Sequence, residues 1–126
     1  PGETDEAQIS ATRRHGFISL ASMLIPTNDT FVSINSVRLP RRGTKTYFAL
    51  AYDAGSEEND QNCAHIPGPV CMGLPDAPGE GPGEGSVYVS NGIHLVEADG
   101  DDVEFIGPMQ YDWRNPVAVI RVTRVQ

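Results

Sequence analysis

A single lysine, Lys45, and a single tryptophan, Trp113, stand out in a chain of 126 residues. Basic residues are few, 9 against 17 acidic ones, for a net charge of −8. Such a field repels phosphate backbones and anionic membrane surfaces, so nucleic acid is not an expected partner. Nowhere does an apolar run approach the ~18–20 residues of a membrane-spanning helix, so no membrane insertion is expected. The opening PGETDEAQ is polar and has no signal-like segment, as expected of a processed mature chain. Persuasive 3.6-residue repeats are also missing, which argues against helices. Only two cysteines occur, too few for a disulfide-built scaffold. At this length a core can form without one, and one domain is expected.

Glycine and proline, by contrast, are plentiful, 13 and 10 residues. They punctuate the chain into short β-like runs. Residues 1–12 read as a flexible tail and 13–126 as the domain. Arg13 to Ile25 is apolar on both faces, the pattern of a strand in the middle of a sandwich. Phe31–Val37 and Thr44–Tyr52 are rich in β-formers. Ser86–Ser90 is a short strand closed by Asn91-Gly92, and Ile93–Glu97 can pair next. Ala98–Asp102 reads as a hairpin turn before a strand at Val103–Ile106. Asp99-Gly100-Asp101 lacks the spacing and terminal Glu of an EF-hand loop. In Val117–Val125 the residues Val117, Val119, Arg121 and Thr123 share one face. The expected fold is all-β, an antiparallel sandwich of about eight strands.

Between Ala54 and Gly85 no periodic element appears, and a long surface excursion is expected there. GEGPGEG reads as its mobile tip, because a phosphate cradle would need a Lys and a following helix. Within the excursion, Cys63 and Cys71 flank a Pro67-Gly68-Pro69 bend. A disulfide is expected, and with it an oxidising compartment: secreted, periplasmic or cell surface. Closing so small a ring stabilises by roughly 2–3 kcal/mol in the entropic account. The alternatives are two reduced thiols, or a metal held by Cys63, His65, Cys71 and Met72. The second is disfavoured because Met72 directly follows Cys71.

Two apolar runs end in turns that carry a carboxylate: Leu24–Phe31 at Asp29, and Ala51–Glu57 at Asp53. One end of a sandwich can bring these together, and hard carboxylate oxygens suit Ca²⁺. Asn28, Thr30, Glu57 and Glu58 are placed to complete the shell. Asn28-Asp29-Thr30 also matches an N-glycosylation acceptor; we read that match as chance, since a glycan would crowd Asp29.

The segments SMLIPTNDTFVSIN, AYDAGSEEND, HIPGPVC, SVYVSNGIH and YDWRNPVAVIRVTRV together resemble the spondin N-terminal domain family in its bacterial form. The similarity spans roughly residues 10–126. The resemblance implies a C2-like sandwich with Ca²⁺ at one end, held by Asp29, Asp53 and a backbone carbonyl near Ala49. It implies a monomeric extracellular recognition or adhesion domain with a protein or glycan ligand at the cell surface or matrix. The competing readings are a structural or carbohydrate-binding sandwich with a purely stabilising ion, and a hydrolase. The second would need an exposed platform of Trp113, Tyr111, Tyr88 and Tyr52. The hydrolase has no Gly-x-Ser-x-Gly elbow, and His15, His65 and His94 carry no local partner signature, so no enzyme is expected.

Overall fold

The computed structural model describes residues 2–12, 14–68, 71, 81–93 and 111–125. Among these the chain is built of β-strands paired antiparallel. The strands are β1 (Phe17–Met23), β2 (Thr30–Arg38), β3 (Thr44–Asp53), β4 (Tyr88–Val89) and β5 (Ala118–Thr123). No helix among the described residues is long and apolar enough to cross a membrane. The expected strands at Ile93–Glu97 and Val103–Ile106, and the turn at Ala98–Asp102, fall largely or wholly outside the described residues.

β3 organises the fold. Its C-terminal half, Leu50–Asp53, pairs with Thr30–Ser33 of β2 on one edge, and Tyr52 and Asp53 pair with β4 on the other. Its N-terminal half, Thr44–Ala49, pairs with β5. β2 leaves β3 beyond Ser33, and the cause is local. Ile18 faces Val37 and Leu20 faces Ile34, so Ser19 alone opposes Asn35 and Ser36. Such a bulge bends and twists its strand. Ser36 accepts a positive φ of 51° for it, and its N–H donates to Ser19 Oγ at 2.9 Å. Across the resulting gap Tyr47 Oη donates to the Arg38 carbonyl at 2.7 Å.

Alternation sets the buried face. Thr30 and Ile34 of β2 are buried together with Ala49, Ala51 and Asp53 of β3. In β5, Val119, Arg121 and Thr123 are exposed while Ala118, Ile120 and Val122 are half-buried, as the sequence pattern requires. β1 differs from the expectation: among the described strands it lies at the edge of the sheet order, and Phe17, Leu20 and Met23 are all exposed. Apolar residues on both faces do not prove a central strand, because an uncharged edge strand has the same composition.

The excursion after β3 is also more than surface. Cys63 and Cys71 are disulfide-bonded, and Cys63 and the buried Ile66 form a small core with Cys71, Ile93 and Tyr111 packed against it. GEGPGEG is not a free tip over its described part. Glu57 bridges Pro82, and Gly85 N–H donates to the Gly55 carbonyl at 2.8 Å. Gly55 sits at φ +65°, and a Cβ there would strike the backbone of Ser86. The glycines at 55 and 83 are therefore needed for two backbones to touch.

Candidate metal centre at the acidic end

The β1–β2 connection fixes the first carboxylate. Leu24 N–H donates to the Thr30 carbonyl, Thr27 Oγ1 donates to the Leu24 carbonyl at 2.5 Å, and Thr30 N–H donates to Thr27 Oγ1. This hydroxyl-capped turn presents Asp29 to the loop that follows β3. Asp29 Oδ2 accepts three hydrogen bonds there: from Ser56 N–H and Ser56 Oγ, both 2.7 Å, and from Glu57 N–H at 2.9 Å. Its other oxygen, Oδ1, is buried with no hydrogen-bond partner among the described residues.

The second carboxylate closes β3. Asp53 is 1% exposed and lies opposite Thr30 in register. Oδ1 accepts from Gly55 N–H at 2.8 Å and Oδ2 from Asn59 Nδ2 at 2.8 Å. Burial pushes its pKa above the ordinary value; the Asn59 and Gly55 hydrogen bonds oppose this, and the charges of Asp29 and Glu84 add to it. Asp29 and Asp53 thus come within each other's field, as the sequence reading expects.

The surrounding residues divide. Thr30 is buried beside Asp53. Glu57 has its carboxyl pKa raised by burial and then by Asp29 and Asp60, with His65 pulling the other way. Glu58 is exposed, its side chain against Gly81. Asn28 is 4% exposed, and its Nδ2 donates to Asp60 Oδ1 at 3.0 Å. A glycan acceptor must present that nitrogen, which here is buried and engaged with Asp60. Ala49 lies four residues before Asp53 on β3, roughly 13 Å away at the rise of a strand. Its carbonyl accepts from Val117 N–H at 3.0 Å. The structure therefore does not bring Ala49 to the two carboxylates.

Three residues that sequence reasoning did not assign to the carboxylates stand at this end: Asn59, Glu84 and Tyr88, the last expected only in an aromatic platform. Asn59 Nδ2 is within hydrogen-bond distance of Asp53 Oδ2, Glu84 Oε1 at 3.0 Å and Tyr88 Oη at 3.1 Å. One amide nitrogen with two hydrogens serves three oxygens. Burial, then the charges of Asp53 and Glu84, push the Tyr88 hydroxyl up to about 12. No sequence spacing links these residues. Only the docking of the Gly-rich segment on the Gly55 turn assembles them.

Beside the carboxylates is a cavity of about 30 Å³, lined in part by Thr30, Asp53, Asn59, Tyr88 and Trp113. Trp113 Nε1 is buried without a hydrogen-bond partner among the described residues. Asn115 ties this region to the sheet: its Oδ1 accepts from Ala51 N–H and its Nδ2 donates to the Ser90 carbonyl, both at 2.7 Å.

Asp60 and His65 form an ion-pair contact through Oδ2 and Nδ1. Burial would raise the Asp60 pKa, but hydrogen bonds from Asn62 N–H, His65 and Asn28 outweigh it and hold the carboxyl below its usual range. His15 Nδ1 lies 3.1 Å from Thr12 Oγ1, an exposed contact inside one turn. The aromatic residues have separate duties. Tyr52 stacks on Phe31 at 5.7 Å, Tyr111 packs on the disulfide cluster, and Trp113 lines the cavity. Met72 and His94 lie outside the described residues. Among the described residues no group of three or more His, Cys, Asp or Glu forms a metal cage.

Comparison with protein-family models, with curated proteins and with solved structures finds no match to this chain.

Proposed function

We propose that this chain is an extracellular Ca²⁺-binding recognition domain on a C2-like β-sandwich, with the ion held between Asp29 and Asp53. The observation that carries the reading is the buried Asp29 Oδ1, without a hydrogen-bond partner among the described residues, in the field of the fully buried Asp53. A carboxylate oxygen is costly to bury unpaired, and a cation is its natural partner. The donors are hard oxygens, which favours Ca²⁺ over softer metals. Two protein carboxylates leave most of the 6–8 positions of Ca²⁺ to water or to a partner's acidic group, so affinity would be weak, around 10⁻⁴–10⁻³ M. The Cys63–Cys71 disulfide fits an oxidising, extracellular setting.

A second reading has its own support. The three hydrogen bonds on Asp29 Oδ2 already clamp the 56–57 loop. An ion added to that clamp would stiffen the loops and bind nothing further. The readings separate in a screen of matrix and cell-surface proteins and glycans, run with Ca²⁺ and with EDTA, on wild type and Asp53→Asn. The recognition reading expects at least one ligand whose binding at this end needs both Ca²⁺ and Asp53. Ligand binding indifferent to both, by folded protein, leaves the ion a structural role.

A further inference from the structure

Four of the nine basic residues of this acidic chain gather at one place. Arg14, Arg38, Arg41 and Arg124 line one groove of about 820 Å³, where the bulged end of β2 leaves β3. Each is exposed, and among the described residues none has a carboxylate partner. Backbone geometry holds them in place. Leu39 N–H donates to the Gly16 carbonyl and Arg124 N–H to the Gly43 carbonyl, which ties the start of β1, the β2–β3 turn and the end of β5 together. The groove is mainly polar, with one apolar patch as its floor: Phe17 is 60% exposed, with the Arg38 guanidinium 5.7 Å from its ring centre, and the half-buried Leu39 lies on the same groove.

We propose that this groove binds a segment of an acidic polysaccharide, a chain of sugar rings bearing carboxylate or sulfate groups. Guanidinium forks match planar or tetrahedral oxyanions in pairs, which a lone lysine cannot do. The apolar floor matches the C–H faces of sugar rings, and the groove's size falls in the range of ligand sites, enough for a few units of a chain. Duplex DNA fits worse. It buries roughly 1,000 Å² or more of protein surface, and the chain as a whole carries a net charge of −8. The net charge of −8 does not forbid local anion binding. The groove lies at the Thr44 end of β3 and the carboxylates at the Asp53 end, roughly 30 Å apart. Screening at physiological salt acts over about 8 Å, so the Asp53 end does not cancel the groove's field; the carboxylates nearest to it in sequence are Glu3, Asp5 and Glu6, on the tail whose Ala11 and Thr12 form part of the groove wall. This site is independent of the calcium reading.

The test measures binding of a sulfated oligosaccharide and of an oligouronate in EDTA, which removes any role for Ca²⁺. Wild type should bind at least one of them, with affinity falling roughly tenfold to a hundredfold between 50 and 200 mM salt. Arg41→Ser with Arg124→Ser should lose at least about tenfold, whereas Arg114→Ser, outside the groove, should stay within about twofold. Arg41→Lys with Arg124→Lys keeps the charge and serves if the serine variant fails to fold. It should weaken binding several-fold through loss of the forks. No binding to either glycan, equal loss in Arg114→Ser, or tighter binding of polyglutamate or duplex DNA would overturn the proposal.

Discussion

Asp53 is the residue whose chemistry is most exposed to experiment. Its carboxyl pKa is raised, chiefly by burial, so its ionised form costs stability in the folded protein. A raised folded pKa means that the favourable contribution is full below the unfolded value, about 4, and is lost as pH rises through the folded value. Without Ca²⁺, Asp53→Asn should therefore be at least as stable as wild type at neutral pH. An asparagine can still accept from Gly55 N–H and gives up only the bond that Asn59 Nδ2 donates to Asp53 Oδ2, a nitrogen that keeps Glu84 and Tyr88 as acceptors. That advantage should vanish below about pH 4, where wild type is neutral too. Paired melting curves in EDTA across pH check this, and a neutral-pH loss that persists at low pH contradicts it. Asp60 runs the other way. Its lowered pKa gives stability that is present above the unfolded value and lost as pH falls through the folded one. Asp60→Asn should destabilise at neutral pH and converge on wild type in acid.

The elements show which parts of the fold can be read from composition. Thr44–Tyr52 was legible because Thr, Tyr and Phe are concentrated in it, and Val117–Val125 because β-branched residues alternate between its faces. The Asp29 and Asp53 turns were legible because Pro26 and Gly55 punctuate apolar runs. What was not legible depends on long-range docking. β1 looks central by composition but stands at the edge of the described strands, and Asn59, Glu84 and Tyr88 meet only because the Gly-rich segment packs on the Gly55 turn. That docking is itself testable. Gly43 and Gly55 both have positive φ, 62° and 65°, but a Cβ at Gly43 meets nothing within 4 Å. Gly43→Ala should cost about 1 kcal/mol, from backbone strain alone. Gly55→Ala should cost clearly more, because the Ser86 backbone must also move. Equal losses in denaturant melts would show that the segment does not dock. Reducing the Cys63–Cys71 bond should cost roughly 2–3 kcal/mol, from its short loop, and loosen the packing of Ile66.

At the scale of the molecule two charge clusters stand out among the described residues. Asp29, Asp53, Glu57, Asp60 and Glu84 sit at or beyond one end of β3 and the arginine groove at the other, where the tail that carries Glu3, Asp5 and Glu6 also arrives. The sequence reading took net charge as one number, which hides this separation. The central claim is that the acidic end holds Ca²⁺. Millimolar Ca²⁺ at an affinity of 10⁻⁴–10⁻³ M would stabilise the fold by about 1–2 kcal/mol, so chelation should lower the melting temperature without unfolding the domain. The most direct measurement is a calorimetric Ca²⁺ titration of wild type beside Asp29→Asn and Asp53→Asn. The account predicts one site in wild type with submillimolar to millimolar affinity, and its loss in both variants. No heat in wild type, or equal binding in folded variants, would contradict it.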